Sequence, residues 1–114
     1  YYSPVIIANN DYLKSHKEEA KKFIQAVKKG YQYAIEHPEE AADILIKQAP
    51  ALANQRDFVL ASQKYLSSQY ASDKNKWGQF DPKRWNDFYA WAKEQGLVSN
   101  DLRDKGFTNE LVGD

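Results

Sequence analysis

The chain has 114 residues, room for one domain at most. Basic and acidic side chains number 16 each, so the formal net charge is zero, which argues against a nucleic-acid binder that works by neutralising phosphates. Cysteine is absent, which excludes a disulfide framework and a cysteine metal site, and the 14% aromatic content means that rings must build much of the core.

The opening stretch, Tyr1-Tyr2-Ser3-Pro4-Val5-Ile6-Ile7-Ala8-Asn9, carries the one convincing β signal. Val5, Ile6 and Ile7 are a short, apolar, β-branched run, which predicts a strand buried on both faces. Asn9-Asn10-Asp11 ends it with turn residues. A lone strand leaves two edges of unpaired backbone. Its neighbours must come from a partner chain, as in a strand-mediated homodimer, or from the rest of a larger α/β protein. A start on Tyr-Tyr-Ser-Pro without Met fits a chain trimmed at its beginning, and no secretory leader pattern precedes it.

Residues 10–14 suit a single helical turn. The first long helix is predicted from Ser15 to His37, with Ser15 and Glu18 as a capping box. Ala20, Phe23, Ile24, Val27, Tyr31, Ala34 and Ile35 recur at helical spacing as one apolar stripe, with Lys21, Lys22, Gln25, Lys29 and Gln32 largely opposite. Gly30, at the edge of that stripe, suggests a close approach of another element or a bend. Pro38 with Glu39 and Glu40 restarts the chain as a helix over 38–48, stopped by Pro50. A third helix, capped at Asn54, runs to about Ser68 with the stripe Phe58, Ala61, Ser62, Tyr65 and Leu66. Residues 70–80 form a loop anchored by Trp77 and Phe80. Asp81-Pro82 then opens a fourth helix with Trp85, Phe88, Tyr89 and Ala92 on its inner face and Gly96 as its left-handed stop. The tail from Phe107 to Val112 carries enough apolar side chains to dock. The class expected is mainly α: four substantial helices plus one N-terminal strand. No run approaches the roughly 18 apolar residues of a membrane helix.

Little in this chain carries chemistry. His16 and His37 lie far apart at helix boundaries with no metal-binding spacing, and Glu39-Glu40 sits where a helix dipole draws acids. Serine lacks a nucleophile elbow, and no glycine-rich phosphate loop exists. No cofactor and no metal site is therefore expected. The lysines at 14, 17, 21, 22, 28 and 29 are interleaved with Glu18 and Glu19 and read as a solvated helix face. Trp85 and Phe88 read as core. Trp77, on a loop beside Gly78, is a candidate ligand-stacking ring. Tyr1 and Tyr2 lie outside the apolar run, where a chain can line a cleft, and a ring with a phenolic hydroxyl suits a planar heterocycle. Fraying of a chain end is the alternative.

Three segments together resemble a known family: Tyr2-Ser3-Pro4-Val5-Ile6-Ile7-Ala8-Asn9; Lys21-Lys22-Phe23 continuing through Lys29 to Ala42; and Trp77-Gly78, Trp85 and Phe107-Thr108-Asn109-Glu110. In that order they resemble the carboxy-terminal part of solute-binding proteins of bacterial ABC importers. The nearest branch is the thiamine-pyrimidine-precursor group, whose fold is shared with eukaryotic thiamine-pyrimidine synthases. The resemblance implies a fragment of a two-lobed, periplasmic-binding-protein-like type II α/β fold about two to three times this length. Residues 1–9 would be the lobe-crossing strand, and residues 10–114 the helical cover of the first lobe, together a single partial domain. It implies a non-enzymatic, extracytoplasmic protein that delivers a pyrimidine-like solute to an ABC permease, held at the membrane only by a lipid anchor outside this chain. Tyr1, Tyr2 and Ser3 would line the cleft. The Phe107–Glu110 motif would lock the tail and make no ligand contact. Two other readings stand beside it. One is a sulfonate, nitrate or flavin binder of the same family; the other is a self-standing helical interaction module pairing through its first strand. The synthases' iron-dependent activity needs a cysteine-containing motif that this chain lacks.

Overall fold

The computed structural model describes residues 1–113. Among them lie five α-helices: α1 Asn10–Ser15, α2 Lys17–Glu36, α3 Pro38–Gln48, α4 Arg56–Ser67 and α5 Pro82–Glu94, with 3-10 turns at Pro50–Gln55 and Lys74–Lys76. The mainly helical expectation and the four substantial helices agree with this.

The strand does not form. No residue from 1 to 9 is in a strand, and no backbone hydrogen bond ties residues 3–8 to another described segment. Val5, Ile6 and Ile7 stand 48%, 52% and 87% exposed. Because no sheet exists among the described residues, the α/β fold class expected above is corrected to α. The physical reason is that β propensity measures fit to a pleated, half-buried surface, and no neighbour offers one here.

Prolines and caps set the helix boundaries. Asn9 accepts from the backbone N–H groups of Asp11 and Tyr12 and starts α1. The expected capping box at Ser15 is also corrected. Ser15 is the last residue of α1, and its hydroxyl turns back on the Asp11 carbonyl at 3.1 Å. α2 instead starts after His16 without a side-chain cap. It runs unbroken through Gly30, beside which no other element closes in. α4 likewise starts from the 3-10 turn, not from a side-chain cap on Asn54.

The α2–α3 junction has a specific cause. Pro38 has no N–H, so the Ala34 carbonyl lacks its i+4 donor. The Ser67 hydroxyl, buried at the end of α4, lies 2.9 Å from that carbonyl and supplies the missing proton. The same hydroxyl is 2.7 Å from the Gln63 carbonyl, but the α4 ladder already serves that oxygen. One serine therefore repairs the gap that a proline opens and joins α4 to α2.

α3 packs along α4, and α2 lies against both. α5 stands apart from the other helices and packs instead on loops. Asp81 caps it by accepting from the Lys83 N–H at 2.9 Å. It ends in a Schellman motif: Leu97 N–H reaches the Ala92 carbonyl at 2.8 Å, Gly96 N–H reaches Lys93 at 3.0 Å, and Gly96 takes φ +70°.

Burial is thin. Ala42, Val59, Ala92 and Val112 are the buried hydrophobics among the described residues. The accessible surface is 8635 Å², against roughly 6,400 Å² for a folded monomer of this mass. The radius of gyration is 17.1 Å, against about 13 Å for a compact chain of this length. The apolar stripe read on α4 points largely outward: Phe58 is 71% and Tyr65 68% exposed, while Val59 and Ser67 face the interior. Periodicity located an apolar face, and among the described residues nothing covers it. Among the described residues, no helix is long and apolar enough to cross a membrane.

Candidate functional site

Tyr1 and Tyr2 are held by the first turns of α5. The Tyr2 hydroxyl accepts from the Asp81 N–H at 2.8 Å, a donor left free by the helix start. Its ring meets Phe80 edge-on, with centroids 4.9 Å apart. The Arg84 guanidinium sits 4.4 Å from the centre of the Tyr2 ring, and its Nη2 donates to the Tyr1 carbonyl at 2.8 Å. Tyr1 lies 5.9 Å from Phe88 and stays 72% exposed. Ser3 is exposed. Of the sequence-identified residues, then, Tyr1 and Tyr2 fall together beside α5, and Ser3 follows them in the chain.

Trp77 belongs to a different cluster. It stacks on Tyr31 of α2 at 4.7 Å and 23°, and Tyr70 meets Tyr31 edge-on at 4.9 Å. The ring anchors the 70–80 loop to α2. Gln32 adds a bond to the Lys74 carbonyl at 3.2 Å, and Lys74 pairs with Glu36. The Lys74 ammonium, hydrogen-bonded to Glu36, holds that carboxyl below its ordinary range.

The tail locks the two clusters. Asn109 pairs with both backbone groups of Phe80: it accepts from the N–H at 2.7 Å and donates to the carbonyl at 2.9 Å. Phe107 packs on Phe80 and Trp85. Trp85 Nε1 donates to the Leu102 carbonyl at 3.1 Å. Glu110 reaches back to Lys17 at 2.6 Å, and Gln25 donates to the Val112 carbonyl. Val112 lies against Gly78, whose φ of +84° suits only glycine comfortably. The locking role read for Phe107-Thr108-Asn109-Glu110 is thus visible in these contacts.

Among the described residues, the two histidines stand apart, each against a tyrosine. His16 stacks on Tyr12, and its Nδ1 lies 2.7 Å from the hydroxyl of its chain neighbour Ser15, on an exposed turn. His37 packs on Tyr33. No group of His, Asp and Glu that could hold a metal ion occurs among the described residues. Glu39 pairs with Lys64 at 2.8 Å across α3 and α4. An open hollow of about 550 Å³ lies between Asn86, Asp87, Asp101, Arg103, Asp104 and Lys105. Four of its polar groups serve one another. Asn86 and Asp104 exchange two bonds of 2.8 and 2.7 Å, and Arg103 grips Asp101, holding that carboxyl well below its usual range.

Arg84 is the residue that the sequence did not disclose. It is the one arginine of three that holds no carboxylate among the described residues, Arg56 being paired with Asp43 and Arg103 with Asp101. Its partners Tyr1 and Tyr2 lie 83 and 82 positions away, a separation with no local signal.

Residues 1–41 match the family model described as "NMT1/THI5 like". The match spans the extended start, α1, α2 and the opening of α3, just over a third of the chain. No curated protein matches the chain. That family is mostly solute-binding, though it includes a synthase. At this coarse level the match supports kinship with a solute-binding family.

Proposed function

We propose that this chain is the carboxy-terminal part of a non-enzymatic, extracytoplasmic solute-binding component of an ABC importer, with a thiamine-precursor pyrimidine as its solute. The observation that carries this reading is the family match over residues 1–41, which includes Tyr1, Tyr2 and Ser3. The thin core supports the partial-domain reading: about 2,200 Å² of surface beyond that of a folded monomer is of a size to be covered by the rest of a longer polypeptide. Tyr1 offers an open ring for a planar heterocycle, and Ser3 an open hydroxyl. Tyr2 anchors them. Trp77, already stacked on one side, adds a ring on the neighbouring loop. The longer protein completes the cleft, delivers solute to a permease and takes its membrane attachment from a lipid anchor outside this chain.

Equilibrium binding to the longer polypeptide tests this reading. A hydroxymethylpyrimidine should bind at micromolar strength or tighter, ahead of an aliphatic sulfonate, nitrate and a flavin. Preference for an anion or a flavin would redirect the reading within the family. Turnover of the pyrimidine's precursors would overturn the non-enzymatic claim.

A further inference from the structure

We infer that Arg84 is a positioning residue for the solute contacts at Tyr1 and Ser3, and that the first two turns of α5 form a clamp on that segment. The inference rests on the solute-binding reading above and adds a residue to it.

Three contacts make the clamp. The Asp81 N–H fixes the Tyr2 hydroxyl at 2.8 Å, Arg84 Nη2 fixes the Tyr1 carbonyl at 2.8 Å, and the Arg84 guanidinium covers the Tyr2 ring at 4.4 Å. Phe80 closes the ring's surroundings edge-on. An extended segment with no backbone bonds from residues 3–8 has little else to hold it. Fixing Tyr2 on its hydroxyl and its ring removes rotational freedom from the residue between Tyr1 and Ser3. The 72% exposed Tyr1 ring is thereby presented in advance, so a ligand need not order it on binding. Arginine suits this place because its planar fork stacks on a ring and donates to a carbonyl at once, which an ammonium does poorly.

The α5 clamp also has a firm base. α5 itself is pinned by Trp85 to Leu102 and by the two-way Asn86–Asp104 bonds, and the Phe80 end is gripped by Asn109. Tyr1 and Tyr2 are thus held against a helix whose orientation the tail fixes, with Ser3 next to them in the chain.

The test uses the longer polypeptide with a hydroxymethylpyrimidine as probe. Arg84→Ala should weaken binding about tenfold, and Arg84→Lys should recover only part of that. The thermal midpoint should move by less than about 2 °C, since the contact is at the surface. The amide order parameters of Tyr2 and Ser3 should fall in Arg84→Ala from near 0.85 towards 0.6. Unchanged affinity in Arg84→Ala, with a wild type that binds, overturns the inference alone. Unchanged order parameters overturn the clamp whether or not the probe binds. A wild type that ignores the probe while Arg84→Ala loosens Tyr2 overturns the solute reading and leaves the clamp standing.

Discussion

Replacing Ser67 by alanine should cost more than a buried hydroxyl usually does, and only because of Pro38. In the wild type the Ala34 carbonyl has no helical donor, and the Ser67 hydroxyl at 2.9 Å is its partner. Removing it leaves a half-buried acceptor unmatched, a loss of about 1–2 kcal/mol. Gln63 Nε2, now 3.1 Å from that hydroxyl, loses a partner as well. Replacing Pro38 by alanine restores an N–H at the i+4 position. In that background Ser67→Ala should cost less than about 0.5 kcal/mol, giving a coupling of about 1 kcal/mol between two residues distant in sequence. Urea unfolding of the four members of the cycle, followed by far-ultraviolet circular dichroism, measures it. An equal cost of Ser67→Ala in both backgrounds, or almost none in the wild type, would show that Ser67 does not compensate for Pro38.

Asn109→Ala should release the Phe80 backbone, raising amide exchange at Phe80 by about tenfold or more and destabilising the chain by about 1–2 kcal/mol, with Asn109→Asp intermediate because it keeps the acceptor. Glu110 is held below its ordinary value near 4.5 by the hydrogen bond and charge of Lys17. A depressed carboxylate stabilises the fold above its unfolded pKa, and that contribution is lost as pH falls through the folded value. Tail ordering, read from Val112 and Gly113 amide shifts, should therefore loosen below about pH 4.5 in the wild type, and Glu110→Gln should be loose at every pH. On α4, Phe58→Ser and Tyr65→Ser should change the stability of residues 1–114 by less than about 0.5 kcal/mol, since both rings are already exposed. The same changes should cost more than about 2 kcal/mol in the longer protein if that stripe is covered there, which paired melts of the two proteins decide.

Much of the fold was legible because local devices set it. Pro38 at a first helical position and Asp81-Pro82 marked α3 and α5 to within a residue, and Gly96 marked the stop. The docking of the tail was readable from Phe107 and Val112. Other features depended on contacts far away in the chain. Val5-Ile6-Ile7 has the composition of a strand, but pairing needs a neighbour that no described residue supplies. Ser15 and Glu18 have capping-box spacing, yet α1 reaches as far as Ser15 and takes its hydroxyl. Phe58 and Tyr65 share a helical face, and periodicity says nothing of what lies opposite. At the candidate site, the sequence offers Tyr1 and Tyr2 as candidates but not Arg84, because a cation over a ring 82 positions away leaves no pattern.

Titration calorimetry of a hydroxymethylpyrimidine, run side by side on residues 1–114 and on the longer polypeptide, tests the solute-binding proposal. If residues 1–114 hold only part of a solute cleft, the longer protein should bind tightly and residues 1–114 should not bind at sub-micromolar strength. Sub-micromolar binding by residues 1–114 alone, or no binding at micromolar strength or tighter by either protein, would contradict the proposal.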